Sequence, residues 1–392
     1  MQQTNHKGNA PLSLLTPSLK LKNCLSIIPL DCTSRPFSSP TFVQKEPINI
    51  AMGFDAAYAV HSLTTLASIF GTSKTPENLE IYLLHAEIFS PELKQKFFDL
   101  APSPQQIHFL LIDEALFKKL PIVQEHITLP TYYRLLLPDL IAQSKILWID
   151  GDTIVCEDIA HLYHENLDGF LLGASPDITE KDEKKRLAQF YHLSEKIPAE
   201  SYINAGISLF NLDKIREDYP NLLQSCQDFI EKHPNVIQLE DQDLLNLLFL
   251  GRIKRLALKW NLAAPIFYCD RNANDFTDEM LLEAISRPGI IHYTCAWNKP
   301  WKTKVRTRFK GLYWYWRRKA GLPPQGIKER LAEILSPCYY LEKNGRNFLR
   351  TAFFLLPWMK LLSSENKAHI GKWQGIFPVQ NKKDIKNENN HV

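Results

Sequence analysis

The chain has 392 residues, of which 45% are hydrophobic and 23% are charged, and its formal net charge is +3. These proportions are ordinary for a globular protein with a large buried core, and so small a net charge does not indicate a nucleic-acid partner. The seven cysteines occur singly, without a C-x-x-C pair. We therefore expect neither a disulfide framework nor a zinc site, and this pattern favours a reducing compartment.

The first segment, residues 1–46, is rich in Ser, Pro, Asn and Lys, and we expect it to be a loosely ordered extension. Its apolar stretch CLSIIPL is too short and too polar-flanked for a signal peptide. No apolar run in the chain reaches the ~18–20 residues that span a bilayer. The sequence therefore predicts a cytoplasmic protein.

Strand-like and helical stretches alternate after this extension. INIAMGF is a strand-like run, and in the next stretch Val60, Leu63, Leu66 and Phe70 recur at helical spacing. A second helix is predicted in SPELKQKFFDL, with Ser90 as its N-cap. Further strand-like runs lie at 81–86, 106–113, 145–149, 170–176 and 207–212. This order predicts an α/β fold whose mostly parallel sheet is covered on both faces and binds ligands beyond the carboxyl ends of its strands.

The stretch KILWIDGDTIV ends a buried strand with two carboxylates, Asp150 and Asp152, on either side of Gly151. Carboxylate oxygens on a tight turn suit Mg²⁺ or Mn²⁺, which bind carboxylates together with substrate phosphates. The alternative is a turn in which one acid caps the next helix and the other is solvated. The glycine fingerprints of dinucleotide-binding and P-loop proteins are absent from the sequence.

Five other stretches carry polar residues that suit the same site: GFDAAY, TYYRLLLPDL, YINAGISLFNL, LEDQDLLN and IIHYTCAWNKPW. In this order they resemble the retaining glycosyltransferases of family 8, most of all the bacterial glucosyltransferases and galactosyltransferases of lipopolysaccharide cores. The resemblance runs from about Ile48 to Trp301. It implies a type A nucleotide-diphospho-sugar transferase fold, a Rossmann-like, mostly parallel mixed sheet with helices on both faces, as a catalytic domain over 47–301.

The resemblance also implies a role for each matched residue of the site. Asp150, Asp152 and His292 match the metal ligands of the family, with Mn²⁺ or Mg²⁺ as the cofactor. Lys299 matches a lysine that holds the leaving diphosphate. The remaining matches are Asp55 and Tyr58 near the uracil, Arg134 in the donor-sugar region, Gly151, Asn204, Ala205 and Gly206 along the nucleotide sugar, Asp241 and Gln242 beside the sugar, and Asp177 in the acceptor or sugar region.

The loop after the histidine departs from the family pattern. Many members have glycine near Cys295 and one residue fewer between His292 and Lys299. The longer loop leaves open whether Lys299 or Asn298 contacts the diphosphate.

Transfer from a UDP-sugar places growing negative charge on the diphosphate, and a cation and a lysine stabilise that charge where it develops. A unit-charge pair at 4 Å is worth about 4 kcal/mol at an effective dielectric constant of ~20, against about 0.3–1 kcal/mol for a helix terminus. Asp241 and Asp243 are possible nucleophiles for a double displacement. We favour same-face attack, in which the departing phosphate takes the acceptor proton and Gln242 steadies the oxocarbenium-like state, and we predict Gln242, Asp241 and Lys299 as the catalytic residues.

The region 302–392 is predicted to be helical, basic and aromatic. Residues 299–320 contain nine basic and six aromatic residues and no acid. This composition favours a membrane surface with anionic headgroups. A helix packed on the core with a solvated face, or a single-stranded nucleic-acid site, are the alternatives. We expect no nucleic-acid partner and a peripheral location at the cytoplasmic face of the inner membrane, where a lipid-linked oligosaccharide acceptor is met.

Together these features predict a retaining, metal-dependent hexosyltransferase that moves glucose or galactose from a UDP-sugar to a lipopolysaccharide or lipooligosaccharide core. A protein-directed or self-glycosylating transferase is one alternative, and a non-catalytic sugar-nucleotide-binding scaffold is another. The donor sugar, the acceptor hydroxyl, the linkage and the choice between Mn²⁺ and Mg²⁺ are left open by the sequence.

Overall fold

The computed structural model describes residues 46–178, 202–263, 266, 276–302 and 309–322. Residues 1–45 of the predicted N-terminal extension lie outside these ranges. So does the predicted C-terminal region, apart from residues 302 and 309–322.

The described residues form ten strands, which are β1 (Ile48–Gly53), β2 (Leu79–His85), β3 (Ile107–Leu111), β4 (Lys145–Ile149), β5 (Thr153–Val155), β6 (Leu172–Pro176), β7 (Ile203–Asn211), β8 (Ile253–Arg255), β9 (Leu262–Ala263) and β10 (Ile290–His292). Seven of them make one sheet in the order β3-β2-β1-β4-β7-β6-β8. β7 is antiparallel to β4 and β6, and the other neighbouring pairs are parallel. The mostly parallel mixed sheet predicted from the sequence is therefore confirmed.

The strand-like runs of the sequence each overlap a strand of this sheet. β7 begins at Ile203, so Asn204, Ala205 and Gly206 belong to a strand and not to a turn. The short strands β5, β8 and β9 have two or three residues each. Segments of this length are too short to show a recognisable apolar periodicity.

The described helices are α1 (Ala59–Thr72), α2 (Pro91–Phe98), α3 (Leu137–Leu140), α4 (Ala160–Tyr163), α5 (Leu212–Asp218), α6 (Leu222–Lys232), α7 (Glu240–Leu248), α8 (Asp278–Ser286) and α9 (Lys310–Lys319). Ser90 caps α2 as predicted, since its side chain accepts a hydrogen bond from the Leu93 amide. Three short 3₁₀ helices lie near the site described below: Leu129–Leu136, Leu258–Asn261 and Ala296–Asn298.

Two of the hydrophobic clusters in the described residues cover the two faces of the large sheet. In β4, Leu147 and Ile149 pack into a cluster that includes Leu63 and Leu66 of α1. The alternate residues Ile146 and Trp148 pack into a second cluster with side chains of α5, α6 and α7. Because both faces are covered, the strand reads as a continuous apolar run instead of an alternating one.

A small second sheet in the order β5-β10-β9 adjoins the turn that follows β4. β5 and β10 are antiparallel, with His292 opposite Thr153. Since Thr153 follows Asp152 directly, this pairing brings His292 to the acidic turn.

Helix α9 packs on α1 through its aromatic side chains. Tyr313 and Trp314 are buried, and the Tyr313 hydroxyl lies 2.6 Å from Nδ1 of His61 in α1. A Cβ atom at Gly71 would clash with the Trp316 ring, so glycine permits this close approach. The helix is thus packed on the core. The sequence left this arrangement open as an alternative to a membrane surface. Among the described helices, none has the length and apolar character needed to cross a bilayer.

Candidate active site

The turn Asp150-Gly151-Asp152 connects β4 to β5 and is anchored on both sides. The Asp150 amide donates to the Gly206 carbonyl oxygen in β7, at 2.9 Å. A Cβ atom at Gly151 would clash with Ser62 Oγ in α1, so only glycine lets the turn approach the helix this closely. The two carboxylates are therefore held in place by the sheet and by α1.

Asp150, Asp152 and His292 meet at one point. Each offers a ligand atom, and these atoms all lie within 4.8 Å of one another. His292 Nε2 is 3.8 Å from Asp150 Oδ2 and 3.3 Å from Asp152 Oδ1. Gly206 is required here as well, because a Cβ atom would clash with His292 and crowd Asp150 Oδ2.

The second oxygen of each carboxylate is held by a protein cation. Asp150 Oδ1 accepts from Arg134 Nη2 at 2.9 Å and from Trp148 Nε1 at 2.7 Å. Asp152 Oδ2 accepts from Lys299 Nζ. One oxygen of each acid therefore remains to face His292 Nε2, and two oxygens with one imidazole nitrogen are a donor set that suits Mn²⁺ or Mg²⁺.

Lys299 reaches this centre despite the longer loop. The 3₁₀ helix Ala296–Asn298 directly precedes Lys299, and Cys295 before it has a φ of 67°. Lys299 Nζ also donates to the Tyr293 carbonyl oxygen, at 2.9 Å. Burial alone would lower the pKa of Lys299, but the Asp152 carboxylate and Tyr58 raise it above its ordinary value. Lys299 is thus a buried, fully charged ammonium group.

Asp152 shows the complementary effect. Burial raises the pKa of a carboxyl group, but the Lys299 ammonium group beside it outweighs this effect and holds the pKa of Asp152 well below its ordinary range. This acid is therefore ionised at any physiological pH and available as an anionic ligand.

Arg134 is a buried bridge between the turn and α7. Its Nη1 donates to the Ala205 carbonyl oxygen, and its guanidinium lies over the Trp148 ring, 4.6 Å from the centroid. Arg134 Nε is 2.9 Å from Asp241 Oδ2 but donates its hydrogen bond to the Thr131 carbonyl oxygen. Asp241 is consequently ion-paired without being fully hydrogen-bonded, and burial raises its pKa to about 6 although Arg134 and Thr131 lower it.

Gln242, Asp177 and Asn204 form a polar network next to the acidic turn. Gln242 Nε2 donates to Asp177 Oδ2 at 2.8 Å, and its Oε1 accepts from the Ala205 amide at 3.1 Å. Asn204 Nδ2 is 3.4 Å from Asp177 Oδ1. Asp243, one residue beyond Gln242, accepts instead from the amides of Gln238 and Leu239, at the beginning of α7.

A cavity opens above the acidic turn at the carboxyl edge of the large sheet. Asp55 and Tyr58, which follow β1, lie on its wall. Asp55 accepts from the Tyr58 amide and from Thr128 Oγ1. Of the residues predicted from the sequence, the cavity is lined by Asp55, Tyr58, Arg134, Asp150, Gly151, Asp152, His292 and Lys299. The network of Gln242, Asp177 and Asn204 is beside this wall and is not among its lining residues.

The sequence of residues 49–304 matches the model of glycosyl transferase family 8. The chain belongs to glycosyltransferase family 8. A candidate glycosyltransferase of Haemophilus influenzae is 30% identical over 261 residues, which are 66% of this chain and 74% of that protein. The lipopolysaccharide 1,2-glucosyltransferase of Escherichia coli K12 is 26% identical over 260 residues, 65% of this chain and 73% of that enzyme.

A solved structure shows the same fold for the family 8 domain. The galactosyltransferase LgtC, crystallised with donor and acceptor sugar analogues, superposes with a TM-score of 0.60 at 22% identity. The match covers 73% of this chain and 100% of LgtC. The type A nucleotide-diphospho-sugar transferase fold expected from the resemblance is thereby confirmed, and the chain is a glycosyltransferase.

Several residues of this family 8 site were not predicted from the sequence. Trp148 is two residues before Asp150 in an extended strand, so its position on the same side as Asp150 was available from the alternation of strand side chains. Asn261, whose Oδ1 lies 2.9 Å from His292 Nδ1, and Ser62, which packs against Gly151, carried no such signal. Both reach the site only through contacts that are distant in the sequence.

Proposed function

We propose that this family 8 glycosyltransferase transfers a hexose, glucose or galactose, from a UDP-sugar to a lipopolysaccharide or lipooligosaccharide core, with retention of configuration and with a divalent cation. The observation that carries the proposal is the convergence of one oxygen from Asp150, one oxygen from Asp152 and Nε2 of His292. Lys299 Nζ donates to the other oxygen of Asp152. The acceptor class is supported by the similarity to the lipopolysaccharide 1,2-glucosyltransferase of E. coli.

Asp150, Asp152 and His292 would hold Mn²⁺ or Mg²⁺. When bound, the cation neutralises charge on the diphosphate as the bond to the anomeric carbon breaks. Three protein ligands leave coordination positions for substrate oxygens, as is usual where a metal binds a nucleotide diphosphate. Arg134 and Trp148 keep Asp150 oriented for this role, because they bind its other oxygen.

Lys299 supplies the second positive charge. Its ammonium group is buried beside Asp152 and lines the cavity, so it reaches the place where a diphosphate bound at the acidic turn would lie. In a buried site a lysine at about 4 Å from the developing charge contributes about 4 kcal/mol at an effective dielectric constant of ~20. We assign the leaving-group contact to Lys299 over Asn298, which is not among the residues on the cavity wall.

The positions of the acids favour same-face attack over a double displacement. Asp241 is held by Arg134 and Thr131, and both oxygens of Asp243 accept hydrogen bonds within the protein. Neither carboxylate is presented to the cavity as a nucleophile. In the proposed step the acceptor hydroxyl attacks the anomeric carbon on the side from which the diphosphate leaves, and its proton passes to a diphosphate oxygen.

Gln242 is assigned to the donor sugar. The Ala205 amide and Asp177 fix both ends of its side-chain amide, so its orientation is set before substrate binds. Asp55 and Tyr58, which line the cavity, are assigned to the uracil. Peripheral association with the cytoplasmic face of the inner membrane, where a lipid-linked acceptor resides, is part of the same proposal and rests on the exposed basic residues Arg318 and Lys319 of α9.

The test is release of UDP from UDP-glucose and UDP-galactose, with Mn²⁺ and with EDTA, by wild type and Asp152→Asn. We expect release that requires the metal and that Asp152→Asn lowers on the order of 10²–10³-fold, as does the loss of a group that stabilises charge in the transition state. Asp168→Asn, which neutralises an exposed acid outside the cavity, is the matched control. If neither donor yields UDP and neither binds in calorimetry, UDP-glucose and UDP-galactose are ruled out as donors.

A further inference from the structure

Asn261 is buried at the end of the 3₁₀ helix Leu258–Asn261 and links two parts of the site. Its Oδ1 lies 2.9 Å from His292 Nδ1. Its Nδ2 donates to Asn204 Oδ1, at 2.8 Å. A side-chain amide with both ends engaged between a candidate metal ligand and a strand of the donor site has a defined orientation, and that orientation has a chemical consequence.

The direction of these hydrogen bonds can be followed from the backbone outward. The Gly206 amide donates to the side chain of Asn204 at 3.1 Å. A backbone N–H is only a donor, so the Asn204 atom that it meets is the carbonyl oxygen. The atom of Asn261 that meets the same oxygen must then be its NH₂ group. What Asn261 turns toward His292 is therefore its carbonyl oxygen, which can only accept.

His292 Nδ1 must consequently carry a proton. A neutral imidazole has a single proton, so Nε2 keeps its lone pair. Nε2 is the atom that faces Asp150 Oδ2 and Asp152 Oδ1, at 3.8 and 3.3 Å. A metal is bound by an unprotonated ring nitrogen, and the hydrogen bond at the other nitrogen decides which one that is.

We propose that Asn261 is a positioning residue that fixes the proton of His292 on Nδ1 and so presents Nε2 to the two carboxylates. The Gly206 amide, acting through Asn204, keeps Asn261 in the required orientation. The role of the tautomer in metal binding rests on the proposed function, whereas the tautomer itself does not.

The first test is the tautomer of His292 in the metal-free wild-type protein. Two-bond ¹H–¹⁵N correlations of the histidine rings, with His292 assigned by its absence in His292→Gln, distinguish a protonated Nδ1 from a protonated Nε2 at mildly alkaline pH. We expect Nδ1–H. A ring that carries its proton on Nε2 would overturn the proposal, and this measurement does not depend on any Asn261 variant being folded.

The second test is Asn261→Leu, a replacement of similar size that can neither donate nor accept. We expect the Nε2–H form of His292 to become populated and the affinity for Mn²⁺ alone, measured by electron paramagnetic resonance, to fall ~10–100-fold, the usual effect of losing the partner of a metal-bound histidine. Asn49→Leu is the matched control, since Asn49 is a buried asparagine bonded to Tyr163 and remote from the cavity. It should keep wild-type Mn²⁺ affinity.

The outcomes separate the two proposals. If Asn261→Leu folds and retains both the Nδ1–H tautomer and wild-type Mn²⁺ affinity, Asn261 has no positioning role. If wild type shows Nδ1–H, Asn261→Leu loses it and neither protein binds Mn²⁺, the assignment of Asn261 stands and the proposed metal site fails.

Discussion

At the scale of single residues, Asp241 is a buried acid whose environment disfavours its charge. It is 3% exposed, and burial raises its pKa from 3.8 to about 6 even though Arg134 and Thr131 lower it. Folding therefore favours the protonated form. The resulting contribution to stability is complete below the pKa of the unfolded chain and is lost as the pH rises through about 6.

Asp241→Asn should reveal this loss. The variant stays neutral, so its free energy of unfolding relative to wild type should increase by about 2–3 kcal/mol between about pH 4 and about pH 7. Urea denaturation across this range measures the difference, and the exposed Asp168→Asn serves as the control for a carboxylate-to-amide change outside the core. A difference for Asp241→Asn that does not change with pH contradicts the buried-acid interpretation.

Cys295 has a φ of 67°, a region where a Cβ atom is strained. We expect Cys295→Gly to be more stable than Cys295→Ala by about 1 kcal/mol, the reverse of the usual order. Thermal unfolding of both variants provides the measurement. Cys156 is not among the described residues of positive φ, so there the alanine variant should be more stable than the glycine variant. If both positions show the same order of stability, the strain argument is refuted.

The residues of the site differ in how far the sequence could predict them. Asp150, Asp152 and His292 were predicted because their types and order resemble family 8, and the structure brings them together. For Lys299 the sequence left open whether Asn298 takes its place, and the structure puts Lys299, but not Asn298, on the cavity wall. Asn261 could not be predicted, because its partners His292 and Asn204 are 31 and 57 residues away.

At the scale of elements, α9 supports the loop that carries Lys299. His61 of α1 stacks on Trp301, with ring centroids 3.6 Å apart and planes at 15°. The Tyr313 hydroxyl group of α9 lies 2.6 Å from Nδ1 of the same His61. Burial, and then the nearby Arg317, lower the pKa of His61 to about 3. The neutral imidazole thus connects α9 to the segment two residues after Lys299.

Tyr313→Phe removes only the hydroxyl group that contacts His61. We expect a loss of about 1–3 kcal/mol in the free energy of unfolding, because His61 Nδ1 is left buried without this partner. We also expect several-fold weaker UDP binding, because Trp301 is released beside Lys299. Urea denaturation and calorimetry measure the two effects.

Tyr163→Phe is the control for this element. It removes a buried hydroxyl bonded to Asn49, far from the cavity, and should cost stability while leaving UDP affinity unchanged. Equal UDP affinities for the two variants would show that α9 contributes stability alone.

The amino-acid composition of α9 was not sufficient to predict what the helix packs against. Basic and aromatic residues suit a membrane surface and a partly buried helix equally well, since both bury an aromatic face and leave cations in water. The contacts with α1, such as the Trp316 ring over Gly71, show that the aromatic face of α9 is packed on the protein. The predicted helices α1 and α2, in contrast, followed from apolar spacing and from a cap within the segment itself, so the sequence was sufficient for them.

At the scale of the whole molecule, strand direction explains why the site residues are so dispersed in the sequence. β1 and β4 are parallel, so Asp55 and Asp150 follow them at the same edge of the sheet. β7 is antiparallel to β4 and begins where β4 ends, which brings Asn204 to that edge from the other direction. The alternation of elements predicted the parallel part, but no local pattern in the sequence indicated the reversal of β7.

This common edge leads to a prediction about linkage between ligands. The acidic turn and His292 provide three ligand atoms, and the remaining coordination positions are open to the diphosphate. Mn²⁺ and UDP should therefore each raise the affinity of the other by the same factor, which we expect to be at least ~10-fold, or about 1.4 kcal/mol. Calorimetric titration of UDP with and without Mn²⁺, and of Mn²⁺ with and without UDP, measures the factor in both directions.

Asp152→Asn removes one ligand atom and should abolish this coupling while leaving the metal-free affinity for UDP within a few-fold of wild type. Asp168→Asn should keep the coupling. If UDP binds wild type equally well with and without saturating Mn²⁺, the cation does not lie between the protein and the diphosphate. Lys299 would then be the main source of positive charge for the leaving group, and Lys299→Met should in that case cause a larger loss of UDP affinity than Asp152→Asn.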